Sequence, residues 1–242
     1  QERADAMERY DVIIIGAGPG GIFAAYELMK KAPGMRVSVF ESGNPLEKRR
    51  CPIDGKKVKS CIGCKTCAIM SGFGGAGAFS DGKYNITNDF GGTLYEYIGK
   101  DTAIDLMRYV DEINVAYGGK GTKMYSTAGT KLKKLCMQNK LKLLDASVRH
   151  LGTDINYVVL ENLFEELKEK VDFRFNSHVD DVERMDSGYR IITQDGAYEC
   201  GRCIISVGRN GSKWMEEIFG RLGIPPKSNR VAIGGPGELP AV

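Results

Sequence analysis

The stretch Tyr-Asp-Val-Ile-Ile-Ile-Gly-Ala-Gly-Pro-Gly-Gly, residues 10–21, decides the fold. Its first half is a continuous β-branched run, which is typical of a parallel strand covered on both faces. Its second half satisfies the pattern G-x-G-x-x-G, and residues 22–32 continue with a helical pattern that Pro33 and Gly34 end. Residues 36–40 then read as a second strand. The order of strand, glycine turn, helix and strand predicts a βαβ unit.

The glycine turn fits a dinucleotide physically. Gly16 allows the tight turn, Gly18 lets a diphosphate approach the backbone, and Gly21 lets the helix pack on the strand. The helix N-terminus offers N–H groups and a partial positive charge to phosphates. Glu41 ends the second strand, where a carboxylate can accept hydrogen bonds from ribose hydroxyls. The alternative is a glycine turn of an α/β protein that binds no ligand.

Two segments carry a resemblance that separates FAD from NAD. Residues 9–43 resemble the N-terminal segment of the two-dinucleotide-binding-domain (glutathione-reductase-like) flavoproteins, and residues 171–211 look like the second FAD segment of that superfamily. The resemblance implies an FAD-dependent oxidoreductase, in which the backbone at Val179 contacts adenine. The expected cofactor-binding residues are Gly16, Gly18, Pro19, Gly20, Gly21, Glu41, Ser42, Ser80, Lys83, Val179, Ser206 and Gly208.

The resemblance and the turn signals together predict the fold class. We expect an α/β Rossmann-like FAD-binding domain with a central parallel sheet. The sequences at 186–188 and 195–196 are turn signals, and they divide residues 177–207 into three strand-like segments. The sequence therefore predicts a three-stranded antiparallel meander in addition to the parallel sheet.

A third stretch, residues 72–88, indicates a smaller group within this flavoprotein superfamily. Its glycine-rich sequence resembles a group of bacterial FAD-dependent dehydrogenases, in which this loop passes along the flavin. Ser80 and Lys83 are expected to hydrogen-bond the flavin; the alternative is a flexible surface linker. Residues 149–154 look like a motif of the same group, and they make Arg149 and His150, with Lys83, weak candidates for catalysis. The alternative there is an exposed loop before a helix.

The cysteine spacing C-x-x-C-x-x-C leaves three alternatives open. Four thiolates could hold a metal, either an iron–sulfur cluster or zinc. Two of them could form a dithiol that exchanges electrons with flavin, with basic neighbours such as Arg49 favouring thiolate. They could also be ordinary reduced thiols. The residues in question are Cys51, Cys61, Cys64 and Cys67.

The composition limits which kinds of partner we expect. The chain is 42% hydrophobic and 27% charged, which is typical of a globular domain, and its net charge of +3 is too small to indicate nucleic acid. No apolar run is long enough to span a membrane, and no secretory signal is present. We therefore expect a cytoplasmic protein with a small-molecule substrate or electron donor, NAD(P)H being one candidate, and with neither membrane nor nucleic acid as partner.

Two other functions stay open at this stage. The first is a flavin-binding sensor or carrier without turnover. The second is a metal-binding, basic nucleic-acid module on a Rossmann-like domain, suggested by the cysteine segment and the lysines of residues 118–142.

The domain boundaries follow from these segments. Residues 1–8 are expected to be a disordered end or a cloning remnant, and 9–92 to form the first part of the FAD-binding domain, with a Cys-rich insert at 44–70. Residues 93–148 are expected to be helical and lysine-rich, and 149–242 to form the second FAD part. No Gly-Asp motif follows Gly211, so we expect a truncated or partly represented chain that lacks its substrate domain.

Overall fold

The structure, a computed structural model, describes residues 7–227. Residues 1–6 of the expected remnant at 1–8, and residues 228–242 at the end of the second FAD part, lie outside the described residues. Within 7–227, none of the helices combines the length and the apolar character that crossing a bilayer would require.

The predicted βαβ unit opens the chain. Strand β1 (Glu8–Ile15) is followed by helix α1 (Pro19–Lys31) and strand β2 (Val37–Phe40), and the two strands pair in parallel. The β1 strand starts at Glu8, inside the segment that the sequence assigned to a disordered end. Ile13 and Ile14 are fully buried on opposite faces of the sheet, which explains the unbroken β-branched run.

A small second sheet is a feature that sequence analysis missed. Residues 93–148 contain helices, but a sheet of three short strands is also formed in this part of the chain. Its central strand, β5 (Ser147–His150), pairs antiparallel with a strand from the glycine-rich loop on one side and with β4 (Met124–Ser126) on the other. The elements are β3 (Lys83–Ile86), α2 (Tyr95–Ile98), α3 (Lys100–Asn114), a π-helical turn (Val115–Gly119), β4 (Met124–Ser126), α4 (Lys131–Gln138) and β5 (Ser147–His150).

The rest of the chain completes the main sheet. The predicted meander is present, but it belongs to one mixed six-stranded sheet of order β6-β2-β1-β9-β8-β7, because β9 pairs antiparallel with β8 and parallel with β1. The predicted fold class is confirmed. The elements are α5 (Gly152–Leu167), β6 (Val171–Arg174), β7 (Val179–Arg184), β8 (Tyr189–Thr193), β9 (Gly196–Ile205) and α6 (Ser212–Arg221).

Two apolar clusters lie on the two faces of this sheet. The first packs α1 and α5 against the sheet, with Ile22, Leu163 and Leu167 fully or almost fully buried. The second lies on the opposite face and includes Ile191 and Ile218. With both faces covered, ligand access is left to the edge at which the parallel strands end.

Candidate cofactor site

A cavity of about 470 Å³ opens at the carboxyl ends of β1, β2 and β9. This is the edge at which open α/β sheets bind their ligands, and the volume is that of a small-molecule site. The lining residues come from the glycine turn, the end of β2, the glycine-rich loop and the residues before it, the two ends of the meander and α6. They are Ile15, Gly16, Gly18, Pro19, Gly20, Phe40, Glu41, Ser42, Met70, Ser71, Gly75, Ala76, Gly77, Ser177, His178, Val179, Ser206, Val207, Gly208, Arg209, Asn210, Gly211 and Trp214.

The glycines of the turn serve two different purposes. Gly16 has a φ of +101°, and a Cβ on it would collide with the Ser206 carbonyl, while a Cβ on Gly21 would collide with the Gly16 carbonyl. Both glycines are therefore needed for folding. Gly18 has an ordinary extended φ, and the nearest atom to a Cβ built on it is the Gly75 Cα at 3.9 Å. Its open side is a bare-backbone surface of the cavity, next to the first turn of α1.

Glu41 lies in the cavity wall with only 6% of its surface exposed. Its Oε2 accepts the backbone N–H of Ala17 at 2.8 Å, and its Oε1 accepts those of Gly43 and Gly72, each at 2.8 Å. Oε1 also accepts the Ser42 hydroxyl at 3.3 Å. Among the described residues Oε2 accepts only the Ala17 N–H, so this oxygen can accept roughly one more hydrogen bond. Glu41 therefore joins three loops around the cavity, a structural role that the sequence did not reveal. Its contact with ribose stays a prediction.

Residues from the start of the meander and from α6 form another part of the wall. Val179 is buried, and the neighbouring Ser177 donates its backbone N–H to the Glu41 carbonyl at 3.0 Å. Trp214, the only tryptophan of the chain, also lines the cavity. Its buried Nε1–H has no hydrogen-bond acceptor within the described part of the chain.

Arg49 has a structural role that sequence analysis did not reveal. It lies near Cys67, as a basic neighbour of the cysteines, but it is buried, with only 4% of it exposed. Its guanidinium donates to the carbonyls of Ala68, Ile69, Phe73 and Gly75 at 2.6–2.9 Å. Burial lowers the pKa of Arg49, and the negative charge of Glu41 opposes that shift. Arg49 holds the glycine-rich loop in the shape that brings Gly75, Ala76 and Gly77 to the cavity.

Ser80 and Lys83 lie outside the cavity lining. The Ser80 hydroxyl donates to the Gly77 carbonyl at 2.9 Å, and the exposed Lys83 forms a 2.7 Å ion pair with Asp81. Asn156 of α5 also donates to the Gly77 carbonyl, at 2.9 Å, and so fixes the position at which the loop leaves the cavity. The structure brings Gly16, Gly18 and Glu41 of the predicted site together at the cavity, whereas Ser80 and Lys83 lie apart from it.

The two other candidate catalytic residues differ from each other. Arg149 forms a bidentate ion pair with Asp111, at 2.6 and 2.8 Å, and donates to the Thr122 carbonyl. The hydrogen bond with Asp111 raises the pKa of Arg149, and these contacts engage its guanidinium inside the fold. His150 is exposed and lies opposite Lys83 in the register of β3 and β5.

The cysteines do not form a preassembled metal site. All seven are free thiols, and Cys61 and Cys64 are exposed. Among residues 7–227, no three His, Cys, Asp or Glu side chains are arranged so that they could hold a metal ion. Cys51, Cys61, Cys64 and Cys67 therefore do not converge as the metal hypothesis expected.

The chain has a Rossmann-like α/β fold with a cavity at the carboxyl ends of its parallel strands, and a protein of known structure shares this fold. Residues 1–44 match the model of the Thi4 family. No curated protein matches the sequence. Glycine oxidase from Geobacillus kaustophilus is structurally similar, with a TM-score of 0.51 and 18% identity over 89% of this chain and 59% of the oxidase chain. The chain thus spans less than two thirds of the length of that enzyme.

Other solved structures match more weakly. The open form of NikD, an unusual amino acid oxidase essential for nikkomycin biosynthesis, has a TM-score of 0.47 and 13% identity over 89% of this chain and 55% of its own. Thioredoxin reductase of T. acidophilum has a TM-score of 0.35 and 14% identity over 82% of this chain and 35% of the reductase chain. The similarity to glycine oxidase confirms the predicted fold.

Proposed function

We propose that this protein is an FAD-dependent oxidoreductase acting on a small molecule. The observation that carries the proposal is the cavity at the carboxyl ends of β1, β2 and β9, where bare backbone at Gly18 faces open space next to the N-terminus of α1. A helix N-terminus and a glycine without steric obstruction are what a diphosphate requires.

The residues present fit FAD. In this proposal Gly18, Pro19 and Gly20 hold the diphosphate, the remaining acceptor capacity of Glu41 takes a ribose hydroxyl, and Ser42 and Val179 border the adenine. Ser206 and Gly208, also in the lining, lie along the path towards the flavin end. When bound, FAD supplies the ability to accept and release hydride, while the protein binds and orients it.

In the same proposal the substrate lies at the flavin end, near the small sheet. Lys83 and His150, side by side on β3 and β5, would receive a substrate that approaches past the glycine-rich loop. NAD(P)H is the proposed donor. A cytoplasmic location belongs to the same proposal, since seven free thiols suit a reducing compartment.

The absorbance spectrum of the purified protein tests the proposal. Bound FAD gives peaks near roughly 370 and 450 nm. NADH or NADPH added without oxygen should then bleach the longer-wavelength peak, and a panel of electron acceptors should restore it. A flavin that binds but is never turned over would identify a sensor or carrier instead, and a protein that neither retains nor binds FAD would contradict the proposal.

Metal at the four cysteines stays a separate hypothesis. Because their thiols do not converge, a bound ion would require residues 51–67 to rearrange. Elemental analysis for zinc and iron, with assay of labile sulfide, tests it, and a Cys61→Ser, Cys64→Ser variant should lose any metal that the protein carries.

A further inference from the structure

Residues 50–65, here called the basic loop, carry an uncompensated positive charge. Five cations and one carboxylate, Asp54, give the loop a charge of +4, larger than the +3 of the whole chain. The five cationic side chains are exposed, and within residues 7–227 none of them forms an ion pair. They are Arg50, Lys56, Lys57, Lys59 and Lys65.

The tip of the basic loop has a defined turn. The Asp54 carboxylate accepts the backbone N–H groups of Lys56 and Val58 at 2.8 and 2.9 Å, and the backbone N–H of Asp54 donates back to the Val58 carbonyl at 3.1 Å. The one carboxylate of the loop thus binds backbone, whereas Lys56 and Lys57 remain exposed in solvent. The tip is a local, ordered concentration of positive charge.

The ends of the loop meet at the cofactor cavity. Arg49 precedes it and Ala68 follows soon after it, and the Arg49 Nε–H donates to the Ala68 carbonyl at 2.9 Å. Met70 and Ser71, a few residues further, line the cavity. A molecule docked on the loop therefore lies beside the wall of the proposed FAD site.

The loop surface is better suited to protein than to nucleic acid. Among these lysines, Ile53 is 42% exposed and Ile62 is 61% exposed, which gives the mixture of apolar and charged groups found at protein interfaces. Residues 50–65 contain no aromatic residue on which a base could stack.

We propose that the basic loop docks an acidic one-electron carrier protein that exchanges electrons with the flavin. This rests on the proposed function. Two reduced carriers, each losing one electron, together with two protons from water, convert one FAD to FADH₂; in the reverse direction two oxidised carriers accept the electrons. Complementary charge steers the carrier to the rim of the cavity and accelerates its association.

The test is stopped-flow reduction of the FAD-loaded protein, without oxygen, by an acidic [2Fe–2S] ferredoxin, followed at the flavin absorbance. The second-order rate constant should fall about tenfold or more from low to high ionic strength. The charge reversal Lys56→Glu, Lys57→Glu, Lys59→Glu should lower it by a similar factor at low ionic strength. The matched control is Lys131→Glu, Lys134→Glu, Lys142→Glu, which changes the net charge equally on exposed lysines elsewhere and should keep most of the rate.

Two measurements separate the possible failures. Dithionite should reduce the flavin equally in all three proteins. If the flavin is bound and reduced by dithionite, yet ferredoxin does not reduce it or does so at a rate independent of the loop charges, the docking proposal is wrong while the proposed function stands. If salt-dependent binding of single-stranded DNA is what the loop reversal abolishes, the partner is a nucleic acid and the proposal is again overturned. A protein that binds no flavin overturns both the docking proposal and the proposed function.

Discussion

Glu41 accepts a hydrogen bond from the backbone N–H of Gly72 at 2.8 Å and thereby joins the end of β2 to the glycine-rich loop. The same carboxylate binds the N–H groups of Ala17 and Gly43, so one buried side chain connects the glycine turn, the residues after β2 and the glycine-rich loop. The acidic residue expected to contact the ligand is thus also a structural element of the site.

Glu41→Gln should destabilise the protein. The amide has one oxygen, so its NH₂ group must face a backbone N–H, and a buried donor left without an acceptor costs about 1–3 kcal/mol. Urea unfolding measures the change. Glu47→Gln, at an exposed position nearby, is the control and should alter the free energy of unfolding by about 0.5 kcal/mol or less. Equal effects of the two substitutions would contradict the role assigned to Glu41.

Gly18→Ala should separate folding from cofactor binding. The new methyl meets no atom closer than 3.9 Å, so the fold is kept, but it occupies the surface that the diphosphate needs. We expect FAD binding at least tenfold weaker, about 1.4 kcal/mol, in a titration followed by absorbance. Gly18→Val should abolish binding. In Gly21→Ala, by contrast, the methyl collides with the Gly16 carbonyl, and circular dichroism should show loss of folded protein. Unchanged FAD affinity in Gly18→Ala would place the diphosphate elsewhere.

Arg49→Met should lower the free energy of unfolding more than Arg50→Met does. It leaves four carbonyls without their donor, and we expect a loss of about 3 kcal/mol in chemical unfolding. Arg49→Lys should recover only part of the loss, because an ammonium lacks the planar fork of a guanidinium. Arg50→Met, at an exposed position, should change stability by about 0.5 kcal/mol or less. A small effect at Arg49 would show that the loop keeps its shape without this residue.

Stability should decline in alkali through two cysteines of β9. Burial raises the pKa of Cys200 to about 11 and that of Cys203 to about 12, from an ordinary value of 9.0. The folded protein therefore keeps protons that the unfolded chain releases. The stabilisation is complete below pH 9 and is lost as the pH rises towards 11 and 12.

Urea unfolding at a series of pH values measures that decline. Replacing both Cys200 and Cys203 by alanine should flatten the alkaline part of the profile, although it lowers stability at neutral pH. Cys136→Ala is the control and should leave the slope unchanged. An identical alkaline slope in the double variant would assign the effect to other groups.

The parts of the fold that sequence predicted are those with local signals. The β-branched run and glycine turn define the βαβ unit, and the turns at 186–188 and 195–196 separate the strands of the meander. The sheet β3-β5-β4 lacks such signals, because its strands have only three or four residues and Lys83 pairs with His150 far along the chain.

In the candidate site, too, the residues that sequence predicted are those with local signals. Gly18 is recognisable because its environment is set by the residues next to it. Arg49 and Arg50 are neighbours of identical type, yet the first is buried and the second exposed. Only the four carbonyls that the folded loop gathers around Arg49 distinguish them, and no spacing in the sequence encodes that arrangement.

The position of Trp214 in the cavity wall makes the protein its own optical reporter. As the chain's sole indole, it accounts for all tryptophan emission, and that emission originates beside the proposed nucleotide. If FAD or ADP quenches this emission and riboflavin does not, the quenching reports occupancy of the nucleotide end without any label. Addition of FMN, which carries one phosphate and no adenosine, would show how much of the binding a single phosphate provides.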